Sequence, residues 1–157
     1  MARATLAYVD TQGTIAGTQA TGEALALALS DAERRITRRL AHVLAGHGCT
    51  VDRWRALALL AGDQSHDMSE LADVTHLPPA SVTRLVDGMV ADNLVHRKAD
   101  PGDRRRVLVH ITRRGLALQR QLSDRIAAEH VTIFGDVDEA DIGRFIDSLA
   151  GLRARLR

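Results

Sequence analysis

The chain has 157 residues, 45% of them hydrophobic and 26% charged, with a formal net charge of +1, the profile of a soluble globular protein of one domain or two small lobes. A single cysteine, Cys49, excludes an intramolecular disulfide. No apolar run approaches the ~20 residues of a membrane span, and the N-terminus has no secretory h-region, so a cytoplasmic protein without a membrane partner is expected. Aromatic residues make up only 3%, which leaves Leu, Ile, Val and Ala to build the core and favours helices.

Residues 1–21 show weak periodicity and are expected to form a frayed or partly ordered arm. From about Gly22, Leu25, Leu29, Ala32, Ile36, Leu40 and Val43 recur at steps of three and four, the spacing of one helical face. Asp31, Glu33, Arg34, Arg35, Arg38 and Arg39 occupy the other face, and Gly46 and Gly48 end the pattern. A helix of roughly 25 residues is long for a globular domain. Its apolar stripe needs a partner, and a second copy of the chain is the natural one.

Thr50 is placed to cap a helix over 51–61, with Trp54, Leu57 and Ala58 as its buried face and Gly62 closing it. Asp67 and Glu70 have the spacing of a capping box, opening a short helix that buries Leu71, Ala72 and Val74. After a tight connection, Pro78-Pro79 opens another helix, because proline is tolerated where the first N–H would be unpaired anyway. It runs over 80–92 with Val82, Leu85, Val86 and Met89 inward, and Asn93 suits the left-handed position after it.

Two strands follow, over 94–99 and 107–111, joined by Asp100-Pro101-Gly102-Asp103 and three arginines, Arg104, Arg105 and Arg106. Between Arg97 and Arg114 there are seven basic and two acidic residues, a formal +5 against +1 for the whole chain, so the remainder carries −4. A cationic hairpin on a mildly acidic body calls for a local anionic partner, and double-stranded DNA is the first candidate.

Two short helices followed directly by a basic hairpin have the layout of a winged helix-turn-helix, whose second helix enters the major groove. Its exposed residues here are Ala80, Ser81, Thr83 and Arg84. Alanine lets the backbone approach, Ser and Thr can bond bases or phosphates, and Arg can hold guanine bidentately. Thr112 then caps a helix through Phe134, with Leu116, Leu118, Leu122, Ile126 and Ile133 apolar. Gly135 breaks it, and Asp138 with Asp141 starts a last helix bearing Ile142, Phe145, Ile146, Leu149, Leu152 and Leu156. The expected fold is therefore mainly α: a winged helix-turn-helix over 50–115, flanked by long helices at 22–48 and 116–157 that form a dimerisation region. So much apolar helix exceeds what the small reading module needs, and a two-fold homodimer reading near-palindromic sites accounts for the surplus.

The segments SELADVTHLPPASVTRLVDGMVADNLVHR (69–97) and DPGDRRRVLVHITRRG (100–115) resemble the MarR family of bacterial transcription regulators. The likeness extends over about 22–157. It implies a homodimer, the second motif helix in the major groove, wing arginines in the minor groove, and an Asp103–Arg105 brace in the wing. It also implies a small-molecule effector, often an aromatic acid, bound between the dimer helices and the reading module. A repressor released by such an effector is the expected function. The sequence departs from the family in two places: Pro78 stands where Ser or Thr typically caps the recognition helix, and Asn93 stands where Gly is usual.

Other readings use other residues. Cys49 can be a redox switch or an inert core thiol. His42 and His47 lie near Cys49 and invite a zinc site, but no pair has the i, i+4 or CxxC spacing, so no metal or cofactor is expected. His96 and His110 can face each other across the wing strands. Without GxSxG, a P-loop or HExxH, no enzyme is expected. A winged-helix module that docks on a protein instead of DNA would carry a neutral wing, and this wing is basic. The effector cleft is expected where the first helix, the helix starting at Val51 and the helix after Thr112 meet. Ile36, Leu40, Trp54 and Leu57 are candidate walls there, against core packing as the alternative.

Overall fold

The computed structural model describes residues 15–62, 65–103 and 106–155. Among these residues, six helices and three strands run in the order α1 (Ile15–Ala45), α2 (Val51–Leu60), β1 (His66–Asp67), α3 (Met68–Thr75), α4 (Pro79–Ala91), β2 (Val95–Ala99), β3 (Val107–Ile111), α5 (Arg113–Phe134) and α6 (Glu139–Arg155). The chain divides into two compact units within α1, after Arg39.

In the first unit, α1 begins at Ile15, upstream of the start expected near Gly22. Gly17 and Gly22 lie inside it; an interior glycine costs a helix only about 1 kcal/mol, and a helix this long absorbs both. The rest of the expected arm, residues 1–14, lies outside the described residues. The polar face is laced by local pairs: Arg34 and Arg35 reach Asp31 at 3.5 and 2.6 Å, and the Thr37 hydroxyl donates to Glu33 at 2.8 Å. Such exposed pairs add a few tenths of a kcal/mol each. Leu25 and Leu27 are exposed, and Ile36 is half-buried.

The second unit holds the core. Leu44, Leu57, Leu60, Leu71, Val82, Val86, Met89, Val95, Val109 and Leu122 are almost wholly buried. Truncating one of these leucines to Ala removes about 2–5 kcal/mol. Thr50 caps α2 by accepting from the Arg53 N–H at 3.2 Å. The buried face of α2 is Val51, Ala56, Leu57 and Leu60. Ala58, expected inside, is exposed, and Trp54 is half-buried. The core leucines at 57 and 60 set the helix rotation, and position 58 falls outside it.

The Asp67 capping box forms as expected, with Ser69 and Glu70 donating backbone N–H groups to its carboxylate at 2.9 and 3.0 Å. His76 ends α3 in the left-handed region at φ 57. Buried Thr75 donates its hydroxyl to the Leu71 carbonyl at 2.7 Å, so it brings no unpaired polar group into the core. Pro79 opens α4, and Pro78 at the cap makes no side-chain bond. Asn93 takes the left-handed position at φ 56, and the Leu94 N–H closes the end on the Met89 carbonyl at 2.9 Å.

The sheet is antiparallel in the order β1-β3-β2, with His66 opposite Val109, Val95 opposite Ile111 and Ala99 opposite Val107. The two-residue β1 was not expected from the sequence, because it is too short to alternate. Thr112 fastens the wing to α5: its hydroxyl donates to the Asn93 carbonyl at 2.7 Å and accepts from the Gly115 N–H at 3.0 Å. Gly115 is buried against β2, where a Cβ would lie 2.1 Å from the Leu94 carbonyl oxygen. No described residue of α6 is buried; Phe145 and Ile146 are exposed there, as is Val131 on α5. Leu156, the last member of the expected stripe, lies outside the described residues.

Candidate nucleic-acid interface

The buried side of α4, Val82, Val86 and Met89, fixes which residues face out. Ala80, Thr83 and Arg84 are exposed and Ser81 is half-buried, so the four expected reading residues lie together at the helix start. The Thr83 hydroxyl donates back to the Pro79 carbonyl at 3.1 Å, leaving its oxygen as an acceptor. Arg84 has no hydrogen bond or ion pair among the described residues. Its guanidinium keeps all five donors for an outside partner.

Two other arginines hold α4 in place. Arg97, on β2, pairs with Asp87 and reaches the Thr83 carbonyl at 3.5 Å. Arg53, on α2, pairs with Asp92 at 2.7 Å, and a Cβ on Gly88 would sit 3.0 Å from its Nη2. Sequence reasoning counted Arg97 only as wing charge and passed over Arg53. The i, i+3 and i, i+4 spacings that reveal local pairs do not apply to partners so far apart along the chain.

At the wing, the turn is pinned by backbone bonds: the Asp100 N–H donates to the Arg106 carbonyl at 3.0 Å, and the Arg106 N–H to the Asp103 carbonyl at 2.9 Å. The Gly102 N–H donates to the Asp100 carboxylate at 2.8 Å. Arg106, expected among the DNA contacts, is ion-paired with Asp67, and a second guanidinium nitrogen lies 3.9 Å from Asp100. The Glu70 N–H and the Arg106 guanidinium hold the Asp67 carboxyl below the usual aspartate range. Arg104 and Arg105 lie outside the described residues, and with them the expected Asp103–Arg105 brace. Among the described residues the wing is braced by Arg106 on Asp67.

His96 and His110 do face each other across the wing strands, as stacked rings with centroids 5.2 Å apart and planes 13° from parallel. Burial pushes the pKa of His110 down, with smaller contributions in the same direction from His96 and Lys98.

A cleft of about 390 Å³ opens between the turn after α1, the start of α2, the residues that follow α4 and the start of α5. Arg53, Asp92, Arg114, His47, Gln121 and Leu118 are among its walls. None of the expected walls, Ile36, Leu40, Trp54 and Leu57, borders it. Leu40 and Leu57 are spent in the core, and Ile36 and Trp54 are half-buried elsewhere. Hydrophobicity marked the residues that pack, whereas this cleft is lined largely by polar ones. Cys49 is buried, donates to the Thr50 carbonyl at 3.4 Å, and has its pKa raised by burial against the opposing charge of Arg53. A thiol held protonated is a poor redox sensor. Among the described residues no three His, Cys, Asp or Glu side chains gather as a metal site, and no helix is long and apolar enough to cross a membrane.

The profile of the MarR family matches residues 47–106, from the end of α1 to the base of the wing. The chain is 26% identical over 134 residues to the HTH-type transcriptional repressor YetL of Bacillus subtilis (strain 168), across 84% of this chain and 80% of that one. It is 28% identical over 133 residues to the HTH-type transcriptional regulator MhqR of the same organism, across 83% and 92%. Among solved structures, CouR from Rhodococcus jostii RHA1, bound to p-coumaroyl-CoA, shares the fold with a TM-score of 0.74 at 24% identity, covering 82% of this chain and 90% of that one.

Proposed function

We propose, from the match of residues 47–106 to the MarR family and the likeness to YetL, that the chain is a transcription regulator of that family and not an enzyme: a cytoplasmic homodimeric repressor of a near-palindromic DNA site, released by a small-molecule effector. The observation that carries the DNA reading is the start of α4. It presents Ala80, Ser81, Thr83 and Arg84, the last without a partner among the described residues, on a helix anchored from behind by the core. Arg84 would take guanine, Ser81 and Thr83 bases or phosphates, and Ala80 close backbone approach. Arg104 and Arg105 would reach the minor groove, while Arg106 sets the wing's position through Asp67.

A second copy would cover the exposed Phe145 and Ile146 of α6 and Val131 of α5, and likewise the exposed Leu25 and Leu27 of α1. Repression agrees with YetL, named a repressor, and effector control with CouR, whose structure holds p-coumaroyl-CoA. The test is selection of genomic fragments by the purified protein, followed by gel shifts of the enriched fragment and of random duplex at two salt concentrations. An enriched inverted repeat, bound more tightly than random DNA, is the expected result. Retention of no fragment at either salt overturns the reading and leaves a protein-docking winged helix.

A further inference from the structure

Resting on the reading of α4 as the helix that enters the major groove, we propose that Thr83 reads a base amine there, N6 of adenine or N4 of cytosine, and makes no bond to the phosphate backbone.

A threonine hydroxyl has one proton to give and two lone pairs to receive with. In Thr83 the proton is committed, because Oγ1 donates to the Pro79 carbonyl one turn back at 3.1 Å. Branching at Cβ restricts χ1 inside a helix, and the rotamers allowed there keep Oγ1 within reach of the carbonyls three and four residues back. The turn that follows is held as well: Arg97 lies 3.5 Å from the Thr83 carbonyl oxygen and pairs with Asp87. Thr83 is exposed, so what it offers to an outside partner is an acceptor beside a methyl group.

Duplex DNA answers an acceptor in few places. The phosphate and sugar oxygens are acceptors themselves, as are N7 and O6 of guanine, N7 of adenine and O4 of thymine. The donors that face the major groove are the exocyclic amines, N6 of adenine and N4 of cytosine. To bond a phosphate, Thr83 would have to turn its proton away from Pro79 and exchange one hydrogen bond for another. Accepting from an amine adds a bond and breaks none. Its neighbours are equipped differently. The Ser81 hydroxyl has no partner among the described residues, so its proton is available to a phosphate oxygen. Arg84 carries donors alone, which suit guanine N7 and O6.

The experiment uses the full chain as wild type, Thr83→Val and Thr83→Ser. Each is put through site selection from a randomised duplex library, then fluorescence anisotropy on the selected duplex and on random DNA. Thr83→Val keeps the branched shape and removes the oxygen, whereas Thr83→Ser keeps the oxygen. Wild type and Thr83→Ser are expected to favour adenine or cytosine over guanine and thymine at one position, and Thr83→Val to lose that preference. Replacing the adenine by 2-aminopurine, or the cytosine by pyrimidin-2-one, takes the amine out of the major groove. That change is expected to weaken wild type about three- to tenfold and Thr83→Val not at all. A Thr83→Val protein that keeps every base preference, or that loses as much affinity for random DNA as for the selected duplex, overturns the amine contact. So does a wild type indifferent to the base analogue. A wild type that enriches no sequence overturns the DNA reading and the amine contact together. Sequence-selective binding that Thr83→Val leaves unchanged overturns the amine contact alone.

Discussion

Asp67 and Arg106, 39 residues apart in the chain, share one carboxylate between the helix-turn-helix and the wing. The same group accepts the first N–H groups of α3 and holds the guanidinium at the base of β3. Position of the wing and integrity of the first motif helix thus depend on one side chain. Asp67→Asn keeps an acceptor for the cap and loses the ion pair, so it should weaken DNA binding and cost less stability than Asp67→Ala. Asp67→Ala loses the cap as well, at about 1 kcal/mol. Urea denaturation and gel shifts of both variants separate the two roles. Because the folded carboxyl titrates below its ordinary value, its stabilisation is fully present above about pH 5 and fades as the pH falls below about 4. The gap between wild type and Asp67→Asn should close over that interval.

Arg84 and Arg105 should fail differently. Arg84→Ala is expected to relax base preference, with a loss of about 1–3 kcal/mol on the selected site and little on random duplex. Arg105→Ala is expected to weaken all duplexes alike and to reduce the salt slope by about one. Fluorescence anisotropy on specific and random DNA at several salt concentrations checks both. Equal losses on the two DNAs from both variants would refute the division of labour.

Two glycines should respond in opposite senses. A methyl on Gly115 meets the Leu94 carbonyl oxygen, a backbone atom that already accepts from Thr112 and cannot yield. Gly115→Ala should cost about 3 kcal/mol or prevent folding. Gly143, inside α6, has nothing within 4 Å of its would-be Cβ. Gly143→Ala should stabilise by about 0.5–1 kcal/mol. Thermal and urea unfolding measure both.

His110 supplies a titration that can be followed directly. Its folded pKa is depressed, so the unfolded chain binds its proton first as the pH falls. The stability it contributes is present above the ordinary histidine value of about 6.5 and is lost as the pH drops through the lower folded value. His96→Gln should move the His110 pKa part of the way back up, because burial is the larger cause and the neighbouring ring the smaller. An NMR titration of the His110 ring reads this. No movement at all would mean that the stacked neighbour has no electrostatic influence.

Much of this fold is legible in the sequence because its signals are local. The Asp67–Glu70 box, the Thr50 and Thr112 caps, Pro79 at a helix start and Asn93 in the left-handed position each need only a few residues of context. The outward placement of Ala80, Thr83 and Arg84 at the start of α4 followed from the same periodicity. What escaped was non-local or polar. β1 is only His66 and Asp67, and pairing with Leu108 and Val109 makes it a strand. The arginine run gave the wing's total charge but not its distribution: Arg97 belongs to Asp87 and Arg106 to Asp67. The search for cleft walls among Ile36, Leu40, Trp54 and Leu57 looked for hydrophobes, and the cleft borders on Arg53, Arg114, His47 and Gln121 instead.

The thirteen residues of α4 are clasped by Arg97 near their middle and by Arg53 just past their end. Neither clasp uses the side chain of a residue that faces outward at the helix start; Arg97 touches only the Thr83 backbone carbonyl there. Substitutions at positions 80–84 can therefore change the chemistry which that face offers while both clasps stay in place.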